Sequence, residues 1–275
     1  MHTIDRRTFI ASLGGAAAVQ TLSHEARADA LEAALGAELN KDSSTVASPK
    51  RYPTVADIKA EIPTRQYRRG VGAIFINTVP GGKEDILPPM PAAPTLANFF
   101  VLRFQGLRNH CLQSANEAMK RGADEQTILA CLLHDIAQEL VRSDHGYWGA
   151  QLFEPYVPER TAFAIKYHQA LRFYPDPEAG YAYPDLYREL FGEDYQPSPH
   201  VVAAYQYARQ HRWYGAARLV TLCDLYSFDP NTVVPIEKFS DIVGRHFKQP
   251  KEGLGNDGSP VAHMWRTLAD PDIPL

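Results

Sequence analysis

Six residues of types that commonly bind metal ions follow one another along the chain: His110, His134, Asp135, His145, His168 and Asp224. Each lies in an apolar stretch typical of a helix, so these side chains are expected to point into a packed interior. Buried imidazoles and carboxylates are costly unless something binds them, and each would otherwise need its own hydrogen-bond partner. A pair of metal ions accounts for the whole series.

The donor atoms indicate which metals to expect. Four imidazoles and two carboxylates, without a thiolate, suit iron or manganese at higher coordination better than a closed tetrahedral zinc site. Such a site leaves positions open for a substrate or dioxygen. Because neighbouring residues on a helix diverge by about 100°, we expect His134 and Asp135 to serve two ions, with the carboxylate bridging them. Four further histidines are interpreted as structural residues: His200, His211, His246 and His263.

The three cysteines are not expected to join the site or to form a disulfide framework. Cys111, Cys131 and Cys223 lie next to or near the proposed ligands, but they are odd in number and lack the CxxC spacing of a zinc site. Free cysteine is among the residues most often buried. We interpret all three as small core hydrophobes.

The elements that position the six residues are predicted to be helices. A long helix is expected over Leu96 to Arg121, from an N-cap at Thr95 to a stop at Gly122. Asp124 should cap the next helix, whose apolar face leads to His134 and Asp135. The small residues after His145 should let a helix approach its neighbours closely, and a helix or pair of turns is expected from Val233 to Phe247. The fold class is therefore all-α.

The composition is that of a soluble globular protein. The 275 residues are 45% hydrophobic and 22% charged, which suffices for one large or two modest cores. The net charge is −4, and the scattered lysines and arginines argue against a nucleic-acid partner. No stretch reaches the roughly 20 apolar residues that a membrane span needs. We therefore expect a small-molecule partner; the oligomeric state is left open.

The N-terminus predicts export. Asp5 to Ile10 resembles the twin-arginine signal, and an apolar segment from Ala11 to Val19 precedes a cleavage motif, Ala26-Arg27-Ala28. Residues 1–28 are therefore predicted to be a signal peptide that engages the twin-arginine export machinery, which places the mature protein in the periplasm or otherwise outside the cytoplasm. The alternative is an amphipathic helix that packs on the body.

Residues 29–95 are predicted to form an irregular N-terminal extension that wraps the catalytic body or covers its mouth. Ala30 to Leu39 favours a short helix, and Gly70 to Ile76 is β-branched and favours a strand. The third region, residues 96–275, is the predicted metal-binding catalytic domain.

The order His, His-Asp, Asp over residues 96–230 resembles the HD-domain superfamily of all-helical metal proteins. His145 and His168 match the two additional ligands of its binuclear members. The segment from His145 to Ala150 is similar to HD-domain oxygenases that cleave hydroxylated phosphonates. The segments Lys166 to Pro175 and Asp224 to Tyr226 are similar to myo-inositol oxygenase. Both relatives use a mixed-valence di-iron centre and dioxygen.

The resemblance implies an HD-domain helical bundle that holds two iron ions, with manganese, zinc or magnesium as alternatives. One iron would be held by His110, His134, Asp135 and Asp224, and the other by His145 and His168, with Asp135 shared. The implied activity is that of an oxygenase, which uses dioxygen to oxidise a small hydroxylated substrate at the carbinol carbon and cleaves the adjacent bond.

The chain departs from both relatives beside the ligands. In myo-inositol oxygenase a lysine follows the His-Asp pair by three positions and another follows the last Asp by four, where this chain has Gln138 and Phe228. The phosphonate enzymes have a histidine at the first place and an arginine three before the last Asp, where this chain has Gln138 and Thr221. These differences argue against either known substrate.

Two arginines bear on the substrate. Arg172, four residues after His168, occupies the place of a phosphonate-contacting lysine, so an anionic substrate group is expected; a solvated helix charge is the alternative. Arg218 could replace the missing arginine only if its helix turns it inward. The predicted catalytic residues are Asp135, Arg172 and Gln138.

Two other functions compete with the oxygenase. Many HD proteins are phosphohydrolases, and the binuclear ones can carry the same six ligands, with a metal-bound hydroxide that attacks a phosphate ester or anhydride. The absence of a lysine or arginine beside the His-Asp pair and the export signal argue against hydrolysis. A binding protein with a degenerate site is the third class, which the complete ligand series disfavours.

Overall fold

The structure is a computed structural model and describes residues 88–104, 107–139, 144–192 and 194–270. Within these ranges the chain forms ten α-helices and no β-strand, so the described part is all-α as predicted. The helices are α1 (Leu96–Leu102), α2 (Arg108–Lys120), α3 (Glu125–Leu133), α4 (His145–Phe153), α5 (Glu159–Leu171), α6 (Asp185–Phe191), α7 (Pro199–Gln210), α8 (Tyr214–Leu225), α9 (Ser240–His246) and α10 (Ala262–Ala269). Three 3₁₀ turns accompany them, at Ile136–Glu139, Pro177–Ala179 and Ile236–Phe239.

Several predictions for the N-terminal region lie outside the described residues. These are the signal sequence of residues 1–28, the helix from Ala30 to Leu39 and the strand from Gly70 to Ile76. Among the residues that the structure describes, no helix has the length and apolar character that crossing a membrane requires.

The single helix predicted over Leu96 to Arg121 is wrong, because the structure divides it into α1 and α2. Its two ends are as predicted. Thr95 caps α1, since its Oγ1 accepts a hydrogen bond from Asn98 N at 3.3 Å. Gly122 follows α2 with a φ of +74°, the left-handed conformation that glycine adopts without steric cost.

The break between α1 and α2 has a tertiary cause. Arg103 leaves the helical conformation at a φ of −130°, and Phe104 N–H donates to Phe99 O at 2.9 Å, which ends α1. The buried Arg103 guanidinium donates to the backbone carbonyls of Leu268 and Ala269, both at 2.7 Å. These bonds tie the end of α1 to the end of α10, so the chain turns here instead of continuing as a helix.

The helix before the His-Asp pair begins as predicted and ends just before it. Asp124 caps α3, because its Oδ1 accepts a hydrogen bond from Thr127 N at 3.2 Å. The predicted apolar face is buried: Ile128, Leu129, Leu132, Leu133 and Ile136. His134 and Asp135 lie on the turn between α3 and the 3₁₀ turn Ile136–Glu139, rather than inside a regular helix.

The helices that carry the six residues pack into one core. α5 packs along α4, α8 and α3, and α2 packs on α3 and α8. Apolar side chains between them are fully buried, including Leu129, Leu133, Ile165 and Val220. Each such side chain stabilises the fold by about 1.5–3 kcal/mol relative to its exposure to water.

The C-terminal region packs against this core. The predicted helix or pair of turns from Val233 to Phe247 is the 3₁₀ turn Ile236–Phe239 followed by α9. α10, which the sequence pattern did not predict, contributes the fully buried Trp265. The indole ring lies 4.8 Å from the ring of Phe99 and 5.9 Å from that of Phe153.

The small residues at the start of α4 allow a close approach to α5. A Cβ atom at Gly146 would lie 2.9 Å from Ile165 O, 3.0 Å from Lys166 O and 3.3 Å from His168 Cε1. One turn later, a Cβ atom at Gly149 would lie 3.3 Å from Ile165 Cγ2. The predicted role of these glycines is confirmed.

Gly146→Ala should destabilise the fold by about 1–3 kcal/mol, because the new methyl group meets backbone oxygens that cannot rotate away. Thermal unfolding followed by circular dichroism measures this change. Gly244→Ala is the matched control: nothing lies within 4 Å of a Cβ atom at this position in α9, and alanine should stabilise the helix by about 0.5–1 kcal/mol. Equal stability of the two variants would contradict the close approach of α4 and α5.

Candidate metal centre

The structure brings all six predicted residues into one buried cluster. The relative exposure is 6% for His110 and 2% or less for the others. Their ligand atoms form two groups, and within each group all the atoms lie within 4.8 Å of one another. The first group is His110, His134, Asp135 and Asp224, and the second group is Asp135, His145 and His168. Asp135 belongs to both groups.

The cluster lies where the ends of five helices meet. The first turns of α2 and α4 supply His110 and His145, the turn after α3 supplies His134 and Asp135, and the last turns of α5 and α8 supply His168 and Asp224. Three of these five ends are carboxyl-terminal. The carboxyl end of a helix carries a partial negative charge, which favours a nearby cation.

Backbone carbonyl groups fix the proton positions of three imidazoles. Nδ1–H of His110 donates to Ser227 O at 3.0 Å, that of His134 to Cys131 O at 2.8 Å, and that of His168 to Ile165 O at 2.6 Å. A carbonyl oxygen can only accept, so the proton lies on Nδ1 in each ring. The Nε2 atom of each neutral ring therefore presents a lone pair to the centre of the cluster.

These lone pairs face one another across short distances. Nε2 of His110 lies 3.3 Å from Nε2 of His134, and the same distance separates Nε2 of His145 from Nε2 of His168. In the first pair both Nδ1 atoms carry the proton, so the neutral rings cannot form a hydrogen bond with each other. The two nitrogen atoms therefore need a proton or a metal cation beside them, and histidines that bind metals commonly donate their other ring N–H to a backbone carbonyl in this way.

The carboxylate of Asp135 lies between the two groups. Its Oδ1 is 3.1 Å from His145 Nε2 and 3.2 Å from His168 Nε2. Its Oδ2 is 3.4 Å from His110 Nε2. Oδ1 therefore faces the second group and Oδ2 faces the first, which fits the bridging role that the sequence predicts.

The two carboxylate oxygens of Asp224 have different partners. Its Oδ1 faces the imidazoles of the first group, 3.1 Å from His110 Nε2 and 3.8 Å from His134 Nε2. Its Oδ2 accepts two hydrogen bonds from Arg172, one from Nε at 2.8 Å and one from Nη2. A buried acceptor oxygen needs a partner, which is either a proton on His110 or a metal ion at the first group.

The charges of the cluster are strongly coupled. Burial by itself raises the pKa of the Asp135 and Asp224 carboxyls, but the surrounding imidazoles, and Arg172 beside Asp224, hold both pKa values well below their usual range. Burial lowers the pKa of His168 to about 4. At His110 the two carboxylates outweigh the effect of burial and raise the pKa to about 9. The metal-free centre therefore holds a proton on His110, where a metal cation would compete with it.

Arg172 and Arg218 are both largely buried, but only Arg172 lies beside the six ligands. Arg172 is not a solvated helix charge, because its guanidinium is largely buried against Asp224. Arg218 is turned inward with 2% exposure, but away from the six ligands: its guanidinium lies over the ring of Tyr181 and donates to Leu171 O at 3.0 Å. Arg218 therefore braces the end of α5 instead of supplying a charge to the cluster.

Gln138, the third predicted catalytic residue, lies half-buried on the 3₁₀ turn Ile136–Glu139. Its backbone N–H donates to Asp135 O at 2.9 Å, so it shapes the turn that holds the shared carboxylate. A catalytic role for its side chain stays a prediction.

Two residues of the site escaped sequence reasoning. Ser227 orients His110 through its backbone carbonyl, which every residue type possesses, so no residue-type signal could have found it. Phe228 covers the same imidazole, with ring centroids 4.2 Å apart and planes inclined by 18°. The sequence pattern indicates no such contact at this position, four residues after Asp224.

Among the described residues, the four histidines interpreted as structural and the three cysteines are not members of either group. The excluded histidines are His200, His211, His246 and His263. All three cysteines are buried free thiols. Burial raises the pKa of the Cys131 thiol, and its contact with Cys223 acts in the same direction, so a thiolate is disfavoured beside the centre.

Comparison of the sequence with protein-family models and with curated proteins gives no match. The geometry of the described residues therefore carries the functional argument: buried His and Asp side chains form two groups that could hold metal ions.

Asp135→Ala should abolish metal binding at both groups, because each group loses a ligand. We expect affinity to fall by more than about 100-fold, since the loss of an outer-shell partner alone costs about 10–100-fold. His145→Ala should weaken only the second group, and His200→Ala, outside both groups, should change nothing. Metal content after dialysis, measured by mass spectrometry, tests this. A full metal load in Asp135→Ala would contradict the shared carboxylate.

The metal-free chain should be most stable near pH 6.5. Folding raises the pKa of His110 from 6.5 to about 9, so this contribution is fully present below pH 6.5 and is lost as pH rises through 9. Folding lowers the pKa of His168 to about 4, so stability also falls as pH drops from 6.5 through 4. Urea unfolding of chelator-treated protein between pH 4 and pH 9 measures both losses of stability. Stability that still increases up to pH 9 would contradict the arrangement.

Proposed function

We propose that this protein is a di-iron oxygenase of the HD-domain superfamily. It uses dioxygen to oxidise a small hydroxylated substrate at the carbinol carbon and cleaves the adjacent bond. The observation that carries the proposal is the position of Asp135, whose two carboxylate oxygens each face one of two buried ligand groups. Two metal ions that share one carboxylate can act on a substrate and dioxygen side by side.

The donor set supports iron as the resident metal. The first group offers two imidazoles and two carboxylates, and the second offers two imidazoles and the shared carboxylate. Such nitrogen and oxygen donors suit iron and leave further coordination positions for exogenous ligands. Iron ions bound at these groups would supply dioxygen activation and accept electrons from the substrate carbon.

The chain itself orients the ligands and keeps water away from the centre. The Nδ1–H bonds to backbone carbonyls keep the imidazoles of His110 and His134 aimed at the first group and that of His168 at the second. The low exposure of all six side chains excludes water, which strengthens every charge interaction inside the cluster. The ring of Phe228 adds an apolar cover beside His110, where related enzymes carry a lysine.

The residues beside the ligands differ from those of the two enzymes that the chain resembles, which argues against either enzyme's own substrate. Gln138, Thr221 and Phe228 replace the charged or polar residues found there. Arg172 uses Nε and Nη2 on Asp224, so an anionic substrate group could contact only its remaining donors or would require the side chain to turn. Hydroxylated phosphonates and polyols are the first compounds to screen.

The proposal includes export in the folded state through the twin-arginine machinery, which would place the protein in the periplasm. The motif from Asp5 to Ile10 supports this. The centre also supports it, because five segments spread over more than half of the described chain must fold together before the ligands meet.

Protein purified without oxygen and then exposed briefly to air should contain about two irons per chain and give a mixed-valence electron paramagnetic resonance signal. Metal analysis and spectroscopy of the same sample measure both. Asp135→Ala, which lacks the shared ligand, should give neither the iron content nor the signal. Zinc, manganese or magnesium without such a signal would contradict the oxygenase and would direct the first substrate screen to phosphate esters, as expected for a phosphohydrolase.

A further inference from the structure

Arg172 and Asp224 form the strongest polar contact at the edge of the metal centre. Arg172 is the C-cap residue of α5, four positions after His168, and Asp224 lies in the last turn of α8. Two N–H groups of the guanidinium converge on one carboxylate oxygen, Oδ2. Both side chains are largely buried, with 15% and 1% exposure. Charge-assisted bonds of this type are about twice as strong as neutral ones.

A hydrogen bond from Tyr181 holds the backbone of Arg172 in place. Tyr181, itself 1% exposed, donates its hydroxyl hydrogen to the backbone carbonyl of Arg172 at 2.8 Å. The ring of Tyr181 lies beneath the Arg218 guanidinium, 4.8 Å from its central carbon, and Arg218 in turn donates to Leu171 O. The end of α5 is therefore braced, and the Arg172 side chain extends from a rigid base.

This contact gives the two oxygens of Asp224 different roles. Oδ1 faces the imidazoles of the first group, at 3.1 Å from His110 Nε2 and 3.8 Å from His134 Nε2. Oδ2 is occupied by Arg172. A carboxylate that bound a metal through both oxygens would have to give up these bonds. The buried guanidinium would then keep only the more distant Asp135, whose Oδ2 lies 4.0 Å from Nη2, which is unfavourable.

We propose that Arg172 is a positioning residue that restricts Asp224 to metal binding through Oδ1 alone, and thereby keeps one coordination position of the first group free for a substrate or dioxygen. This role rests on the metal centre of the proposed function, but not on iron or on oxygen chemistry. It differs from the substrate contact expected from the sequence, because Arg172 acts through Asp224.

Cobalt(II) is a suitable probe, since its visible absorption reports coordination geometry without turnover. In the full-length chain, Arg172→Met should bind Co²⁺ with a visible absorption per ion about twofold weaker than wild type, because Asp224 then binds through both oxygens and raises the coordination number. Arg188→Met is the matched control: it removes an arginine paired with a carboxylate, Asp185, on the exposed face of α6, and should leave the spectrum unchanged.

A double variant separates this effect from a general disturbance of the fold. The amide of Asp224→Asn can offer a metal only one oxygen, so Arg172→Met combined with Asp224→Asn should restore the absorption of the wild type. Arg172→Lys, which keeps a cation beside Oδ2, should also resemble wild type. If Arg172→Met does not fold, Arg172→Gln replaces it, since it keeps much of the side-chain volume without the charge.

The outcomes distinguish the two proposals. A wild-type chain that binds no Co²⁺ refutes the metal centre, and the role of Arg172 with it. Co²⁺ binding with the same spectrum in wild type and Arg172→Met refutes only the role of Arg172. A weakened spectrum that the double variant does not restore, or that Arg172→Lys shares, also refutes it, because the change would then have a cause other than the second oxygen of Asp224.

Discussion

Hydrogen bonds from Nδ1 to backbone carbonyls are the interactions on which the rest of the site depends. They place one proton of each of three buried imidazoles on the side away from the centre, so each opposite nitrogen is left to bind a metal cation or a further proton. For His134 and His168 the carbonyl belongs to the residue three positions earlier, which makes the orientation a local property of the chain. The cluster is thus held ready for a cation by bonds that require no other side chain.

The helical architecture serves this arrangement by bringing helix ends, rather than helix middles, to one place. A helix end can present residues on a turn, which is how the adjacent His134 and Asp135 both reach the centre despite their divergence in a regular helix. Gly146 allows α4 to pack close to the backbone of α5, so that His145 and His168 meet. The close packing of α4 and α5 therefore also sets the geometry of these two ligands.

Sequence reasoning succeeded where the determining chemistry is local and failed where it is tertiary. Buried His and Asp types identified all the clustered residues, and the residue types at Thr95, Gly122 and Asp124 identified three helix ends. The break at Arg103 depends on an acceptor 165 positions later, and the contact of Arg172 with Asp224 spans 52 positions. Ser227 contributes only a backbone carbonyl, which residue type does not reveal. The HD-domain assignment itself stays a prediction.

The near-complete enclosure of the ligands has a kinetic consequence. With 6% exposure at most, none of the six side chains can pass an ion directly to solvent. Exchange of an ion with solvent therefore depends on local opening of the structure around the ligands, as well as on the strength of the bonds to the ion. An ion bound during folding is consequently expected to leave slowly when the ion concentration outside falls.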